Sequence, residues 1–289
     1  HQINNAAQAT QLFKPRAAYR TRYAVMGGRP AMPDYPALGA QIDYYLMSDV
    51  AGELKLEILD ESGKVIRTAS SQAVSQPQAE RPAGGDDEEM RGPRFGGAAA
   101  RPLSKRAGAN RFIWDLRYDG FGPLVVPGKY QLRLSAASPA TSATSATSAI
   151  SAISESWVQT QTLEVLLDPR LAKDGVTLAD LKEQLDLLLA VRDTISDVRK
   201  VVTRLDEELR RVGQQASASK EQQLRSIRAR LVTAAGPYPQ PMLLDQLSSL
   251  LRMAGSADRK VGRSAIEYFE ALKKELAGIK TELVRLSAE

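Results

Sequence analysis

Cysteine is absent from the 289 residues of this chain, and histidine occurs once, as His1. The lack of cysteine excludes disulfides, thiolate metal sites and thiol nucleophiles. A single terminal histidine excludes a Ser-His-Asp triad and a histidine-rich metal site. Phosphate-binding glycine loops are missing as well, because GPRFGG (92–97) and AVMGGRP (24–30) lack the required spacing and helix context. We therefore expect no metal and no cofactor.

Carboxylates are the remaining route to catalysis, and the chain has one acidic run, DDEE at 86–89. This run lies in a segment rich in Pro, Gly and charge, which does not fix the geometry that a catalytic acid needs. A solvated charge run is the favoured interpretation, and weak calcium binding is the alternative. We expect that the chain is not an enzyme on its own.

Long apolar runs are also missing, and aromatic residues make up only 6% of the chain. No run approaches the roughly 18 apolar residues that cross a bilayer, so we expect no membrane span. The sequence begins HQINNAAQAT, without the basic and apolar regions of a signal peptide. We therefore expect a processed product or a fragment of a longer protein.

The net charge of +5 does not indicate a nucleic-acid partner. The 39 Lys and Arg residues are interleaved with 34 Asp and Glu residues, as in DEELRR at 206–211. A nucleic-acid-binding protein concentrates its positive charge on one face, whereas mixed signs are typical of solvated helix faces. We expect no nucleic-acid partner.

Up to about residue 170 the apolar residues alternate with polar ones, which is the pattern of strands with one buried face. The segment 52–70 predicts a hairpin that turns at Glu61, Ser62 and Gly63. The other strand candidates are 19–26, 40–47, 128–134 and 161–168. Short strands separated by turn residues, without helices between them, predict an antiparallel β-sandwich.

We assign residues 1–18 to an N-terminal linker and 19–170 to the sandwich. Two segments interrupt the sandwich, 71–107 and 138–156. The first is rich in Pro, Gly and charge, and the second repeats Ser, Ala and Thr with a period of about three residues. We expect both to be flexible inserts.

After Asp168-Pro169-Arg170 the apolar period becomes helical, which predicts a bundle of about four helices over 171–289. Thr177 and Asp180 resemble a capping box at the start of a helix of about ten turns, which ends near Gly213. The segment GPYPQP (236–241) and Gly255 separate three further helices. Each helix has one apolar face, so we expect an antiparallel, coiled-coil-like packing.

The segment GANRFIWDLRYDG (108–120) is the densest in aromatic and charged residues. Alternation places Phe112, Trp114, Leu116 and Tyr118 on one face, which we expect to be core, and Asp115 and Arg117 on the opposite face. Asp115 and Arg117 are therefore candidates for contact with a partner. If the aromatic rings are exposed instead, Trp114, Tyr118 and Trp157 form a candidate sugar platform.

Four segments together resemble the region that follows the β-propeller in exported bacterial proteins of the sortilin-like, BNR-repeat glycosyl-hydrolase-like family. These segments are GELKLEILDESGKVIRT, GANRFIWDLRYDG, VPGKYQLRL and LEVLLDPR. The strand pattern is also similar to the immunoglobulin-like domain of the flagellar hook-capping protein. The resemblance covers roughly 38–289 outside the two inserts, and it implies an immunoglobulin- or fibronectin-III-like sandwich followed by a helical segment.

The resemblance places any hydrolase activity of the family in a propeller that would precede this chain, and a shared fold does not transfer function. We therefore expect a non-catalytic accessory or assembly module of an exported bacterial protein, periplasmic, cell-surface or extracellular. It would dock a β-propeller, another subunit or a second copy of itself. The apolar face of the long helix is the first candidate surface for that partner, although packing within the bundle is the favoured interpretation of this face. The outer strand face with Asp115 and Arg117 is the second, and Asp168 and Arg170 are further candidate contact residues.

Two alternatives remain open at this point. The first is a carbohydrate-binding module attached to a glycoside hydrolase, which requires exposed aromatic rings at Trp114, Tyr118 or Trp157. The second is a fragment of a larger sortilin-like hydrolase whose site is completed by residues outside this chain.

Overall fold

A computed structural model describes residues 9–22, 39–72, 102–119, 122–136, 157–215 and 218–288. These residues form two β-sheets and five helices. The chain divides into two compact units, His1–Asp168 and Pro169–Glu289, at the DPR where the apolar period changes. Most of both predicted inserts and the acidic run at 86–89 lie outside the described residues. None of the helices in the described ranges is long and apolar enough to cross a membrane.

The first unit contains the eight strands of the described ranges. They are β1 (Gln11–Leu12), β2 (Ala18–Arg20), β3 (Ala40–Leu46), β4 (Leu54–Leu59), β5 (Val65–Ser70), β6 (Gly108–Trp114), β7 (Gly128–Ala136) and β8 (Trp157–Leu167). The strand predictions are thus confirmed, except that β2 covers only the start of 19–26, whose later residues lie outside the described part. β1 lies in the expected linker, where Leu12 is fully buried. A strand of two residues is too short to show alternation in the sequence. β1 is recognised only by its pairing with β3.

The strands form a three-stranded sheet in the order β1-β3-β6 and a five-stranded sheet in the order β2-β8-β7-β4-β5. The sequence predicts antiparallel pairing throughout, and all these pairs are antiparallel except β2 with β8, which is parallel. Alternation specifies which face of a strand is buried and does not specify the direction of its neighbour. No hairpin turn joins β2 to β8 to fix that direction.

Both sheets contribute to one core, which is consistent with a β-sandwich. Ile42 and Tyr44 come from the smaller sheet, and Leu56, Leu132 and Leu163 come from the larger one, each at most 1% exposed. In β3, β4 and β7 the buried residues alternate along the strand, so their side chains lie on one face of each sheet and pack in this core.

Trp114 is a central residue of this core, as the alternation predicts. Its side chain is 1% exposed, its indole Nε1 donates a hydrogen bond to the Arg117 carbonyl at 2.9 Å, and its ring meets the Tyr130 ring edge-on at 5.6 Å between centroids. Phe112 and Leu116 are buried in the same core, and Tyr118 packs against it. The core assignment of this face is confirmed.

The strand itself ends earlier than the alternation suggests. β6 stops at Trp114, and Leu116 adopts a left-handed backbone with φ of 58° although its side chain is 2% exposed. This backbone conformation costs free energy for residues other than glycine, and burial of the leucine side chain offsets the cost. Gly39, at φ 119°, allows the close approach here, because a Cβ on it would lie 2.0 Å from the Trp114 carbonyl oxygen.

The second unit contains the five helices. They are α1 (Pro169–Lys173), α2 (Leu178–Gln215), α3 (Ala218–Leu231), α4 (Leu243–Ala254) and α5 (Arg263–Ala288). The four longer helices match the predicted ones, whereas α1 is too short for its period to be visible. Buried residues of α2 to α5 form one apolar cluster, which includes Val198, Leu205, Ile227, Leu247 and Phe269. The apolar face of α2 is therefore largely covered within the unit.

A capping box begins α2, as its sequence predicts. The Asp180 amide donates to the Thr177 hydroxyl oxygen at 3.1 Å, and the Thr177 amide donates to the Asp180 carboxylate at 3.0 Å. The Thr177 hydroxyl also donates to that carboxylate at 2.5 Å. These bonds, the hydroxyl first, lower the pKa of Asp180.

We predict that Trp114→Ala and Ile113→Ala have unequal effects although the residues are adjacent. Trp114 is 1% and Ile113 is 39% exposed, on opposite faces of β6. Loss of the buried indole is expected to lower the free energy of unfolding by about 3–5 kcal/mol, and loss of the outer side chain by less than about 1 kcal/mol. Urea denaturation measures both. Equal losses would contradict the assignment of the two faces.

We predict that Thr177→Ala raises the pKa of Asp180 toward its ordinary value, as a carbon-detected NMR titration would show. Because the folded-state pKa is lowered, the Asp180 carboxylate stabilises the fold above its unfolded-state pKa, and this contribution is lost as the pH falls through the folded-state pKa. Removal of the Thr177 cap should cost about 1 kcal/mol at neutral pH and less in acid. Thr177→Ser keeps the hydroxyl group, so it should leave the pKa of Asp180 and the stability of the fold unchanged. The control Thr194→Ala removes a hydroxyl within the helix and should not move the Asp180 titration.

Candidate functional site

Asp115 and Arg117 lie in the turn that follows β6, where they bond to their own loop. The Asp115 carboxylate accepts a hydrogen bond from the Arg117 amide at 3.2 Å. The Arg117 guanidinium donates to the Gly122 carbonyl at 3.4 Å, and the Arg117 carbonyl accepts from Trp114. Both side chains are half-buried. Both side chains therefore help to hold the turn around Trp114. Less of their surface is available to a partner than if they stood on the outer face of a strand.

Asp119, which the sequence patterns do not single out as a contact residue, ties the same loop to the edge strand β5. Its carboxylate accepts a hydrogen bond from the Thr68 amide at 3.0 Å and forms an ion pair with Arg67 at 3.3 Å. Its amide donates to the Ile66 carbonyl at 3.0 Å. The loop thereby satisfies backbone groups of a strand that has a sheet neighbour on one side only. No sequence pattern predicts this pairing, because Thr68 and Asp119 are 51 positions apart in the chain.

Asp168 and Arg170 do not share one environment. Asp168, the last residue of the first unit, is 6% exposed, and Arg170 lies on α1 with an exposed side chain. A buried carboxylate offers little area to a partner, so of this pair only Arg170 presents surface.

Of the three aromatic residues of the candidate sugar platform, Trp114 belongs to the core of the first unit and the other two pack against it. Trp114 is 1% exposed, and Tyr118 and Trp157 are partly buried and packed against the same cluster. A sugar-binding platform needs a free ring face. Trp114 has none, since it is enclosed by the core.

The helical unit contains an open cleft of about 570 Å³ that the sequence analysis does not predict. α2, α4, the connection between α4 and α5, and the first turns of α5 form its walls. Leu250, Met253, Ala265 and Tyr268 make most of its surface apolar, and Gln184, Arg259, Lys260 and Ser264 add polar groups. A volume of this size lies within the usual range for ligand pockets.

Gln184 is the one polar residue of α2 in the cleft, and it is 1% exposed. Its Nε2 donates to the carbonyls of Ala254 and Ala257, each at 2.7 Å, so it holds the end of α4 and the connection after it. Two neighbouring carbonyls fix the amide orientation, because a flipped amide would set oxygen against oxygen. The Gln184 Oε1 is also buried, and it accepts no hydrogen bond from any part of the chain that the structure describes.

Two cations, Arg259 and Lys260, are in the lining of the cleft, and Asp258 precedes them in the sequence. Arg259 donates to the Met253 carbonyl at 3.4 Å, and Lys260 interacts with Asp180, which lies outside the lining. The N-terminus of α5 begins beside them with no acidic residue in its first turn. A helix of 26 residues carries a partial positive charge at this end.

The rim of the cleft exposes two large side chains. Met253 is 53% and Tyr268 is 41% exposed, and the Tyr268 hydroxyl donates to Gln246 at 3.2 Å. Methionine and tyrosine are both enriched in protein interfaces. The cleft therefore presents apolar surface where a partner can cover it.

One sequence signal for this site exists and is visible in retrospect. Gln184 follows Leu181 by three residues and precedes Leu188 by four, so it occupies the apolar face of α2. A polar residue on such a face needs a partner when it is buried. The identity of that partner depends on residues about 70 positions away, and the sequence pattern does not supply it.

No protein-family model matches this chain, and neither does any curated protein or any solved structure. The resemblance to the post-propeller region stays a prediction. Within the described ranges, no three Asp, Glu or His side chains come together in a way that could hold a metal ion.

We predict that Gln184→Leu destabilises the helical unit. The substitution puts an apolar side chain of similar size at the site and leaves the carbonyls of Ala254 and Ala257 without their donor, at a cost of about 1–3 kcal/mol. Thermal denaturation followed by circular dichroism at 222 nm would measure it. The control Gln223→Leu, on the exposed face of α3, should change the stability by less than about 0.5 kcal/mol. A stable Gln184→Leu variant would show that these hydrogen bonds do not hold the connection.

Proposed function

We propose that this chain is a non-catalytic docking module of an exported bacterial protein, and that the cleft of its helical unit binds a protein partner. In this proposal the first unit is an immunoglobulin- or fibronectin-III-like sandwich, and the second is an antiparallel, coiled-coil-like helical bundle. The partner is a β-propeller domain, another subunit or a second copy.

The observation that carries the proposal is the composition of the cleft. Apolar side chains from α4 and α5 surround a buried amide, and a hydroxyl and two cations stand beside them. A small number of polar groups at fixed positions in an apolar pocket orient a bound molecule. Exposed Met253 and Tyr268 at the rim extend the contact area beyond the cleft, which suits a protein surface better than a small molecule.

The fold assignments rest on two kinds of support. Two sheets that share one core favour a sandwich of the immunoglobulin type. One apolar cluster built from α2 to α5 favours a bundle. Export and association with a propeller are supported by the sequence resemblance alone.

The contact surface differs from both surfaces that the sequence suggests. The apolar face of α2 is largely covered by the other helices of its unit. Asp115 and Arg117 bond within their own turn, and Asp168 is buried. The cleft offers a continuous apolar surface instead, so we assign the partner site to it. No observation favours the carbohydrate-binding alternative, since Trp114 is enclosed by the core.

Photo-crosslinking with the full chain tests the proposal. Benzoylphenylalanine replaces Tyr268 at the rim in one variant, and Tyr19, which is 51% exposed in the first unit, in a control variant. After irradiation in an extract of the source organism, we expect one protein adduct from position 268 that position 19 does not give. Equal adducts from both positions, or none from position 268, would refute the proposed site.

The affinity of the purified adduct partner provides the quantitative test. Met253→Glu places a charge on the apolar rim and should weaken binding about tenfold or more in titration calorimetry. Met47→Glu is the matched control, because Met47 is 63% exposed but lies in the first unit. An unchanged affinity of the Met253 variant would remove the cleft from the interface.

A further inference from the structure

In the described residues the two sheets of the first unit end in four edge strands, β1, β6, β2 and β5. An edge strand presents backbone N–H and C=O groups that can pair with another chain. β1 has two residues and β2 has three, so these edges offer few such groups. β5 has six residues and β6 has seven. The two long edges differ in what covers them.

The outer edge of β5 is closed by hydrogen bonds from other segments of the first unit. The Ile66 carbonyl accepts from the Asp119 amide at 3.0 Å, and the Thr68 amide donates to the Asp119 carboxylate at 3.0 Å. The Ser70 carbonyl accepts from the Leu103 amide at 3.0 Å. Ile66, Thr68 and Ser70 are alternate residues, so these bonds run along one edge of the strand. A further strand cannot pair with β5 unless it displaces them.

The hydrogen bonds of β3, the neighbour of β6, show which groups of β6 point outward. The Asp43 carbonyl accepts a hydrogen bond from the Phe13 amide, next to β1, at 3.0 Å. The backbone of Asp43 therefore points toward β1. Backbone groups of successive residues in a strand point to opposite sides, so Ile42 and Tyr44 bond to β6 instead.

The register of β3 with β6 then identifies the outer groups of β6. Ile42 lies opposite Phe112, and Tyr44 lies opposite Asn110, so the backbone groups of Phe112 and Asn110 are used within the sheet. The N–H and C=O groups of the alternate residues point away from the sheet. These alternate residues are Ala109, Arg111 and Ile113. In the part of the chain that the structure describes, no hydrogen bond reaches their outward backbone groups.

The side chains of these residues lie on the outer face of the sheet and restrict which strand fits beside β6. Ala109, Arg111 and Ile113 are all exposed. The Arg111 guanidinium forms an ion pair with Asp43 of β3 at 2.6 Å, so it extends across the sheet and leaves the edge open. A strand beside β6 has one side chain directly opposite each of the three residues.

Charge distinguishes a second copy of this chain from a different partner. If two copies of β6 pair antiparallel and use all three outward residues, their Arg111 side chains lie opposite each other. Like charges at directly opposite positions destabilise a strand pair, whereas opposite charges stabilise it. An acidic residue opposite Arg111 is therefore favoured. β-Branched apolar residues are favoured two positions to either side of it, opposite Ala109 and Ile113.

From this geometry we infer that β6 binds an extended segment of a partner protein, which adds to the smaller sheet as an antiparallel strand. The backbone groups of Ala109, Arg111 and Ile113 bond to the segment, and Arg111 selects an acidic residue at its centre. Strand addition of this kind takes affinity from main-chain hydrogen bonds and specificity from alternate side chains. The site lies in the first unit, and the inference does not depend on the cleft of the helical unit.

Fluorescence anisotropy with the full chain and labelled peptides tests the inference. The probe is Ser-Val-Thr-Glu-Thr-Val-Ser with fluorescein at its N-terminus. We expect it to bind about fivefold or more tightly than the same peptide with Lys in place of Glu. Methylation of the two valine amide nitrogens, which face β6, should abolish binding. Methylation of the two threonine amide nitrogens, which face away, should leave binding unchanged.

A proline at position 113 tests the same edge from the protein side. Ile113→Pro removes an outward N–H that has no partner in the sheet, so the fold should persist while binding of the Glu peptide weakens about tenfold. The control Ile113→Val keeps the N–H and a branched side chain and should bind as the unmodified chain does. Arg111→Ala should bring the affinities of the Glu and Lys peptides within about twofold of each other.

Equal binding of the Glu and Lys peptides by the unmodified chain would overturn the inference, and so would binding that survives methylation of the valines. Absence of binding up to about 1 mM would overturn it as well. Analytical ultracentrifugation covers the remaining occupant. A dimer of the unmodified chain that Ile113→Pro converts to a monomer would assign the edge to a second copy and reject the partner segment. The crosslink at position 268 tests the cleft independently of these outcomes.

Discussion

The amide of Gln184 connects three parts of the helical unit, and the candidate site depends on that connection. Its two hydrogen bonds fix the last turn of α4 and the chain after it against α2. The end of a helix has carbonyl groups without helical partners, and a buried end requires donors for them. The oxygen of the same amide is buried as well. This one side chain therefore stabilises the wall of the cleft.

The first unit shows how a segment that resembles a site can serve the fold instead. Trp114, Arg117 and Asp119 lie within the segment with the most aromatic and charged residues. The indole bonds to the Arg117 carbonyl, and Asp119 completes the edge of β5. The polar groups of this loop are used to hold a buried tryptophan and to satisfy an edge strand. A segment rich in aromatic and charged residues can thus have a purely structural role.

Much of the fold follows from periodicity, and the departures have identifiable causes. The hairpin β4–β5, the capping box of α2 and the inward face of β6 are predicted because each depends on residues close in sequence. The parallel partner of β2 and the end of β6 at Trp114 are not predicted. The first depends on a strand far along the chain, and the second on a left-handed Leu116 that burial stabilises.

Local pattern determined the elements of this protein: which residues alternate, which follow a helical period, where Thr177 begins a helix and that Trp114 is core. Tertiary structure alone decided the cleft, because Gln184, Arg259 and Tyr268 meet only when α2 packs against α4 and α5. Periodicity reports the face that a residue occupies. It carries no information about which distant backbone groups that face will meet.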